Sequence, residues 1–293
     1  MTPVPLCDDL VFSILRPRDP AANKGDYGTL SCVCGSRRFP GAAALSVTAA
    51  LRCGAGIVRL MSISPVIAAC SAKVSEAIYE PLSENAEGGV SADCAGAISS
   101  LAGRSSAVLC GCGMGNTPDT ERIVLSLLKS AGRLILDADA LNSLSASGNV
   151  GALKRNGESA VITPHVGEMS RLTGVSVSDI KKDPADCALS FAGTYGCVVV
   201  LKDHVTHIAS PDGEVFVSSA GNAGLARGGS GDTLAGMISS FAAQGYPLAE
   251  AAACGVHLHG RAADLCAGRL SQYGMLPSDI LTDLCGLFLA HGL

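Results

Sequence analysis

Short, predominantly apolar runs alternate with longer amphipathic stretches along most of the chain. Thr29 to Val33, Ile57 to Met61, Ala107 to Cys110, Leu134 to Leu136, Ala160 to Ile162 and Val198 to Leu201 are of strand length, and their apolar character is that of strands covered on both faces. Gly41 to Arg52 and Asp119 to Lys129 follow helical spacing. In the second, Ile123, Val124, Leu127 and Leu128 share one face, with Glu121, Arg122 and Lys129 around them. Val205 to Ala209 and Val215 to Val217 flank the turn Pro211-Asp212-Gly213 and read as a hairpin at a mixed sheet edge. The repeated βαβ pattern predicts an α/β protein with a mostly parallel central sheet between helical layers. Residues 1–22 are expected to be an irregular leader. No linker or repeat marks a second domain, so residues 1–293 are expected to form one.

In such sheets ligands bind beyond the carboxyl ends of the strands, which directs attention to the residues after each apolar run. These are Cys34-Gly35-Ser36, Gly111-Cys112-Gly113-Met114-Gly115, Asp137-Ala138-Asp139-Ala140-Leu141-Asn142, Thr163-Pro164-His165-Val166-Gly167-Glu168 and Lys202-Asp203-His204-Val205-Thr206. The most informative stretch lies further on. Gly228-Gly229-Ser230-Gly231-Asp232-Thr233 delivers an aspartate into the first turn of an apolar helix. Small residues let successive amides of Gly229, Ser230 and Gly231 converge, and the helix adds its free donors and dipole. A phosphate is the natural guest, with Asp232 as the base for a substrate hydroxyl. The competing reading makes Asp232 a helix cap only.

Composition narrows the function classes. The net charge is -5 with no basic run, which excludes an electrostatic nucleic-acid footprint. Hydrophobic residues make up 48% of the chain, but charges and glycines interrupt the apolar stretches well short of a membrane span. The 13 cysteines are scattered and odd in number, which points to reduced thiols and a cytoplasmic setting. Cys32/Cys34 and Cys110/Cys112 are spaced to share a strand face, but no CxxC or histidine spacing supports a metal centre, and buried small hydrophobes account for them.

Other polar groups have two readings each. Asp137, Asp139 and Asn142 offer hard oxygen ligands for magnesium or a ribose, or helix caps; Asp139 and Asn142 share a side while Asp137 faces elsewhere. Pro164 holds Thr163 extended, so His165 emerges at a strand tip as a ligand contact. Glu168 is placed for helix capping as well as for catalysis. Lys202, leaving a buried strand, is directed to solvent or an anion. His257 and His259 lie in a helical segment from about Leu248 to Cys266 and are read as ordinary core or surface histidines.

Taken in order, Lys24-Gly25, Gly35-Ser36 with Phe39-Pro40-Gly41-Ala42, Leu51 to Gly56, Gly113-Met114-Gly115, Asp137 to Asn142, Thr163 to Glu168 and Gly228 to Gly236 resemble the NAD(P)H-hydrate dehydratase family of the ribokinase-like superfamily. The resemblance implies a three-layer α/β/α ribokinase-like fold and repair of hydrated NADH and NADPH. In that reaction an adenine nucleotide, ADP or ATP, activates the ring hydroxyl with Mg2+ present, and phosphate is released. It places Ala42, Gly115, His165 and Asp232 on the hydrated dinucleotide, and Lys202, Asp203, His204, Val205, Thr206 and Gly231 on the nucleotide, with Asp232 as the base. It also implies a homotetramer and, since no epimerase region is expected here, a separate epimerase as functional partner. Asp203-His204 after the lysine and Arg227 before the glycines depart from the family pattern; Arg227 is expected to reach phosphate. A small-molecule hydroxyl kinase of the same fold and a noncatalytic nucleotide sensor are the competing functions.

Overall fold

The computed structural model describes residues 3–154 and 160–293, built around one ten-stranded sheet. The strands are β1 (Val4–Pro5), β2 (Thr29–Val33), β3 (Ile57–Ile63), β4 (Ile78–Leu82), β5 (Ala107–Cys110), β6 (Leu134–Leu136), β7 (Ala160–Ile162), β8 (Val198–Leu201), β9 (Thr206–Ala209) and β10 (Val215–Ser218). Their spatial order is β1-β10-β9-β8-β7-β6-β5-β2-β3-β4. Only β9 runs against the others, because the hairpin through Pro211-Asp212-Gly213 reverses the chain there. Strands β5 to β8 are wholly buried, which their unbroken apolar runs require.

The helices are α1 (Asp8–Ile14), α2 (Pro40–Arg52), α3 (Ser64–Ser71), α4 (Ala95–Ala102), α5 (Pro118–Ser130), α6 (Asp139–Ala146), α7 (Val166–Thr173), α8 (Val177–Ile180), α9 (Pro184–Tyr195), α10 (Ser230–Ala243), α11 (Leu248–Gly274) and α12 (Ile280–Ala290). Helices α2, α10, α11 and α12 pack on one another, as do α4 to α7 in sequence. Pro at the first turn of α2 and α5 supplies a residue that needs no donor there, and Thr117 caps α5 by accepting from the Thr120 amide.

The leader corrects the sequence expectation. Val4–Pro5 adds a strand beside β10, and Asp8–Ile14 forms a helix anchored by Asp8, which accepts from Arg261 Nε and Nη2 at 2.9 and 3.0 Å and pairs with His257 Nε2 at 2.8 Å. Residues this far apart cannot be matched from local periodicity.

Chain direction across the sheet changes between β2 and β5. From β2 the chain proceeds to β3 and β4 on one side, then returns to β5 and continues to β8 on the other. A crevice beyond the carboxyl ends of β2 and β5 is the ligand position such a switch creates. Helices α2 and α10 approach closely beside it: a Cβ on Gly236 would lie 2.3 Å from the Ser46 carbonyl oxygen, so only glycine permits the contact. Across the same contact Ser46 Oγ donates to the Asp232 carbonyl at 3.1 Å.

Candidate active site

The glycine turn before α10 takes its shape from Gly229, whose φ of 100° is open to glycine and costly for a residue with a side chain. The Ser230 amide donates to the Arg227 carbonyl at 3.3 Å. Among the described residues the Gly231 and Asp232 amides find no protein acceptor, as expected of the first turn of a helix. Two free donors therefore sit at the positive end of a 14-residue helix, beside the Asp232 carboxyl. Burial, then the negative charge of Asp137, push the Asp232 carboxyl up to about 6, against hydrogen bonding from Cys112 and the charge of Lys202. A carboxylate poised near neutrality is suited to accept a proton.

Ala138 bends the chain after β6. Its φ of 50° is unfavourable for an L-residue with a side chain, and the bend separates the two neighbouring aspartates. Asp137 turns inward: Oδ1 accepts from Thr163 Oγ1 at 2.6 Å and from Lys202 Nζ at 2.8 Å. Asp139 begins α6 and accepts from the Gly115 amide at 2.8 Å. Burial raises the pKa of Asp139 against that bond. Asn142 accepts from Arg171. Asp137, Asp139 and Asn142 therefore do not converge as one ligand set.

Lys202 enters an ion pair with Asp137, its side chain 20% exposed and that of Asp137 3%. Burial alone would lower the ammonium's pKa, but the charges of Asp137 and Glu168 hold it above its ordinary value. The Lys202 amide donates to the Pro164 carbonyl at 2.8 Å, which brings the ends of β7 and β8 together. His165 occupies the strand tip with its side chain 53% exposed. Its Nδ1 accepts from the Gly167 and Glu168 amides, while Glu168 Oε2 accepts from the His165 amide at 2.8 Å, a reciprocal cap on α7. Accepting at Nδ1 leaves Nε2 to carry the ring proton of the neutral form. Burial, with Lys202 and Arg171 nearby, lowers the pKa of His165 against the opposing charge of Glu168.

The remaining sequence candidates lie around the same strand ends. Gly113 packs against Ala42 and Phe39 with no room for a Cβ, which joins the loop after β5 to the start of α2. Asp203 pairs with Lys181 at 3.2 Å, and His204 is exposed beside it. Val205 and Thr206 lead into β9. Arg227, expected to reach phosphate, instead donates through Nη2 to the Tyr273 carbonyl at 3.0 Å.

Three side chains near the site were given no role in it from sequence: Cys112 was read as a core residue, His259 as an ordinary core or surface histidine, and Thr163 only as the extended residue before His165. Thr163 fixes Asp137. Cys112 sets its Sγ 3.8 Å from Asp137 Oδ2. His259 is buried on α11; burial, then the charge of Lys202, lower its pKa to about 4, which keeps the imidazole neutral behind the glycine turn. The available signal was position, Thr163 directly after β7 and Cys112 two residues after β5; for His259 there was none, since helical periodicity places it in the core.

The sequence matches the family model described as NAD(P)H-hydrate dehydratase over residues 30–285. The ADP-dependent (S)-NAD(P)H-hydrate dehydratase of Neisseria meningitidis serogroup B is 36% identical over 256 residues, covering 86% of this chain and 81% of that protein. The bifunctional NAD(P)H-hydrate repair enzyme Nnr of Thermofilum pendens is 39% identical over 262 residues, covering 89% of this chain and 50% of the relative. The chain thus spans about half the length of the bifunctional relatives it matches. The fold superposes on a crystal structure of the Bacillus subtilis ADP/ATP-dependent NAD(P)H-hydrate dehydratase, co-crystallized with ATP and Mg2+, with a TM-score of 0.83 and 30% identity, covering 98% of this chain and 99% of that one. The architecture is ribokinase-like.

Proposed function

The chain belongs to the NAD(P)H-hydrate dehydratase family, and from that premise we propose that it dehydrates the S epimer of hydrated NADH and NADPH at the expense of an adenine nucleotide, ADP in preference to ATP. The observation that carries the reading is the Asp232 carboxyl, its pKa raised to about 6 by burial and the charge of Asp137, beside the two free amides of Gly231 and Asp232. Asp232 accepts the proton of the ring hydroxyl as the hydroxyl oxygen attacks the terminal phosphorus of the nucleotide. The two amides and the helix dipole receive the charge that develops on the transferring phosphoryl group. Phosphate then leaves the ring carbon, loss of a ring proton restores the double bond, and the reduced nicotinamide is recovered. With ADP the nucleotide product is AMP.

Ala42, Gly115, His165 and Asp232 line the dinucleotide side in this reading, and Lys202 to Thr206 with Gly231 the nucleotide side. The neutral His165 keeps an Nε2 proton to donate. Magnesium keeps most of its waters and takes only one or two protein carboxylates, so Asp137 Oδ2, which no amide or lysine occupies, is the oxygen that would hold it, leaving Asp232 free to act as the base. Its contribution when bound is to neutralise phosphoryl charge. Homotetrameric assembly, cytoplasmic residence and pairing with a separate epimerase complete the proposal and rest on the resemblance alone. The test is whether hydrated NADH regains its reduced-nicotinamide absorbance with stoichiometric phosphate. Recovery with phosphate supports the dehydratase; a phosphorylated product that persists supports a hydroxyl kinase.

A further inference from the structure

Cys112 stands between the two carboxylates at the heart of the site. Its Sγ and one oxygen each of Asp137 and Asp232 all lie within 4.8 Å of one another. Asp137 Oδ1 is already committed to Thr163 and Lys202, which leaves Oδ2 turned to the thiol at 3.8 Å. An Asp232 carboxylate oxygen also lies within 4.8 Å of the thiol, and Cys34, the residue after β2, is buried beside the same loop, its backbone neighbour Gly35 donating to the Cys112 carbonyl. One S–H proton thus faces two carboxylates, and it serves one of them at a time.

We propose that Cys112, Asp137 and Asp232 form a binding site for a thiophilic divalent cation of the Zn2+ class. Tetrahedral zinc takes sulfur at about 2.3 Å and carboxylate oxygen at about 2.0–2.2 Å, so its ligands stand roughly 3–4 Å apart. Closing the present triad to that spacing needs side-chain adjustment of about 1 Å, with a water completing the tetrahedron. The ligands come from fixed points. The Cys112 carbonyl accepts from the Gly35 amide at 2.8 Å, the Asp137 amide donates to Cys110, and Asp232 lies in the first turn of α10. Thr163 and Lys202 orient Asp137 from behind, the support that carboxylate ligands of metals commonly receive. On binding, the Cys112 proton leaves to solvent. Two carboxylates and one thiolate then balance the cation together with the Lys202 ammonium. The thiolate selects against Mg2+, which takes oxygen ligands.

The functional consequence rests on the proposed function: a carboxylate bound to zinc cannot accept the substrate's hydroxyl proton, so the cation blocks turnover. Cobalt reports the site without any assay of activity. Titrating Co2+ into the nucleotide-free protein should give a thiolate-to-cobalt absorption band that saturates at one equivalent, is displaced by Zn2+ and survives excess Mg2+. Cys112→Ser should abolish the band, and Asp232→Asn, which keeps the thiol but removes a ligand, should weaken binding by more than the roughly 10- to 100-fold that loss of an outer-shell partner costs. Absence of the band from the wild-type protein, or a band of unchanged affinity in the Asp232→Asn protein, overturns the site even if Cys112→Ser fails to fold. Turnover that continues with Zn2+ bound overturns the blockade. Cobalt binding in a protein with no dehydratase activity leaves the metal site standing and counts against the function alone.

Discussion

Replacing Asp232 with asparagine should abolish chemistry and stabilise the protein, because the same burial that tunes the carboxyl makes its charge costly. Burial and the Asp137 charge move its pKa from 3.8 to about 6. Between those values the folded protein holds a proton that the unfolded chain has released, so stability falls as pH rises through the window and is level above it. The displacement corresponds to about 3 kcal/mol at pH 8, and to about half of that at pH 5. Asparagine removes the ionisation and keeps the shape, and its amide offers Asp137 a donor where a like charge stood. Urea unfolding of both proteins, without nucleotide and with a chelator present, should find the variant more stable at pH 8 by about 3 kcal/mol, with the gap narrowing at pH 5 by about 1.5 kcal/mol. Its turnover should fall by about 10^2- to 10^4-fold, and wild-type turnover should rise with pH through an apparent pKa of about 6 as the base ionises. A variant less stable at pH 8, or a gap independent of pH, would mean that Asp232 carries no buried charge, and retained turnover would remove it as the base.

Other sites give independent tests. Lys202→Met leaves the buried Asp137 without its ammonium; a loss of about 3–5 kcal/mol in urea unfolding is expected, together with a weaker nucleotide affinity in calorimetry. Gly236→Ala puts a Cβ 2.3 Å from the Ser46 carbonyl oxygen and should cost about 1–3 kcal/mol by forcing α10 from α2, read as a lower thermal midpoint. Asp8→Ala releases α1 from Arg261 and His257 and should cost about 1 kcal/mol at neutral pH, the pair being partly exposed. Arg261 holds the Asp8 carboxyl below its ordinary value of 3.8 against the cost of burial, so this contribution is present above pH 3.8 and lost as pH falls through the lower folded value. Unfolding curves that converge at acid pH would bear this out.

Fully buried parallel strands were the most legible part of the sequence. The runs at Thr29–Val33, Ala107–Cys110, Leu134–Leu136, Ala160–Ile162 and Val198–Leu201 are strands over those same residues, because burial on both faces leaves an apolar run with no other reading. Strand β4 escaped because Glu80 and Pro81 interrupt it, and an edge strand tolerates both. Helix α1 escaped because it buries only Val11 and is held by residues some 250 positions away. At the site, Asp232, His165 and Lys202 could be found because each follows a turn or a strand end. The pairing of Lys202 with Asp137 could not, since it requires knowing that β7 separates β6 from β8. Cys112 looked like a small core residue for the same reason: its significance lies in the two carboxylates that the sheet order brings to it.

Dehydration coupled to phosphoryl transfer is decided by following reduced-nicotinamide absorbance and free phosphate together, starting from the S epimer of hydrated NADH with Mg2+ and either ADP or ATP. Absorbance should recover with one phosphate released per NADH, faster with ADP and not at all in the Asp232→Asn protein. Recovery without phosphate, or no recovery with either nucleotide, would contradict coupled dehydration.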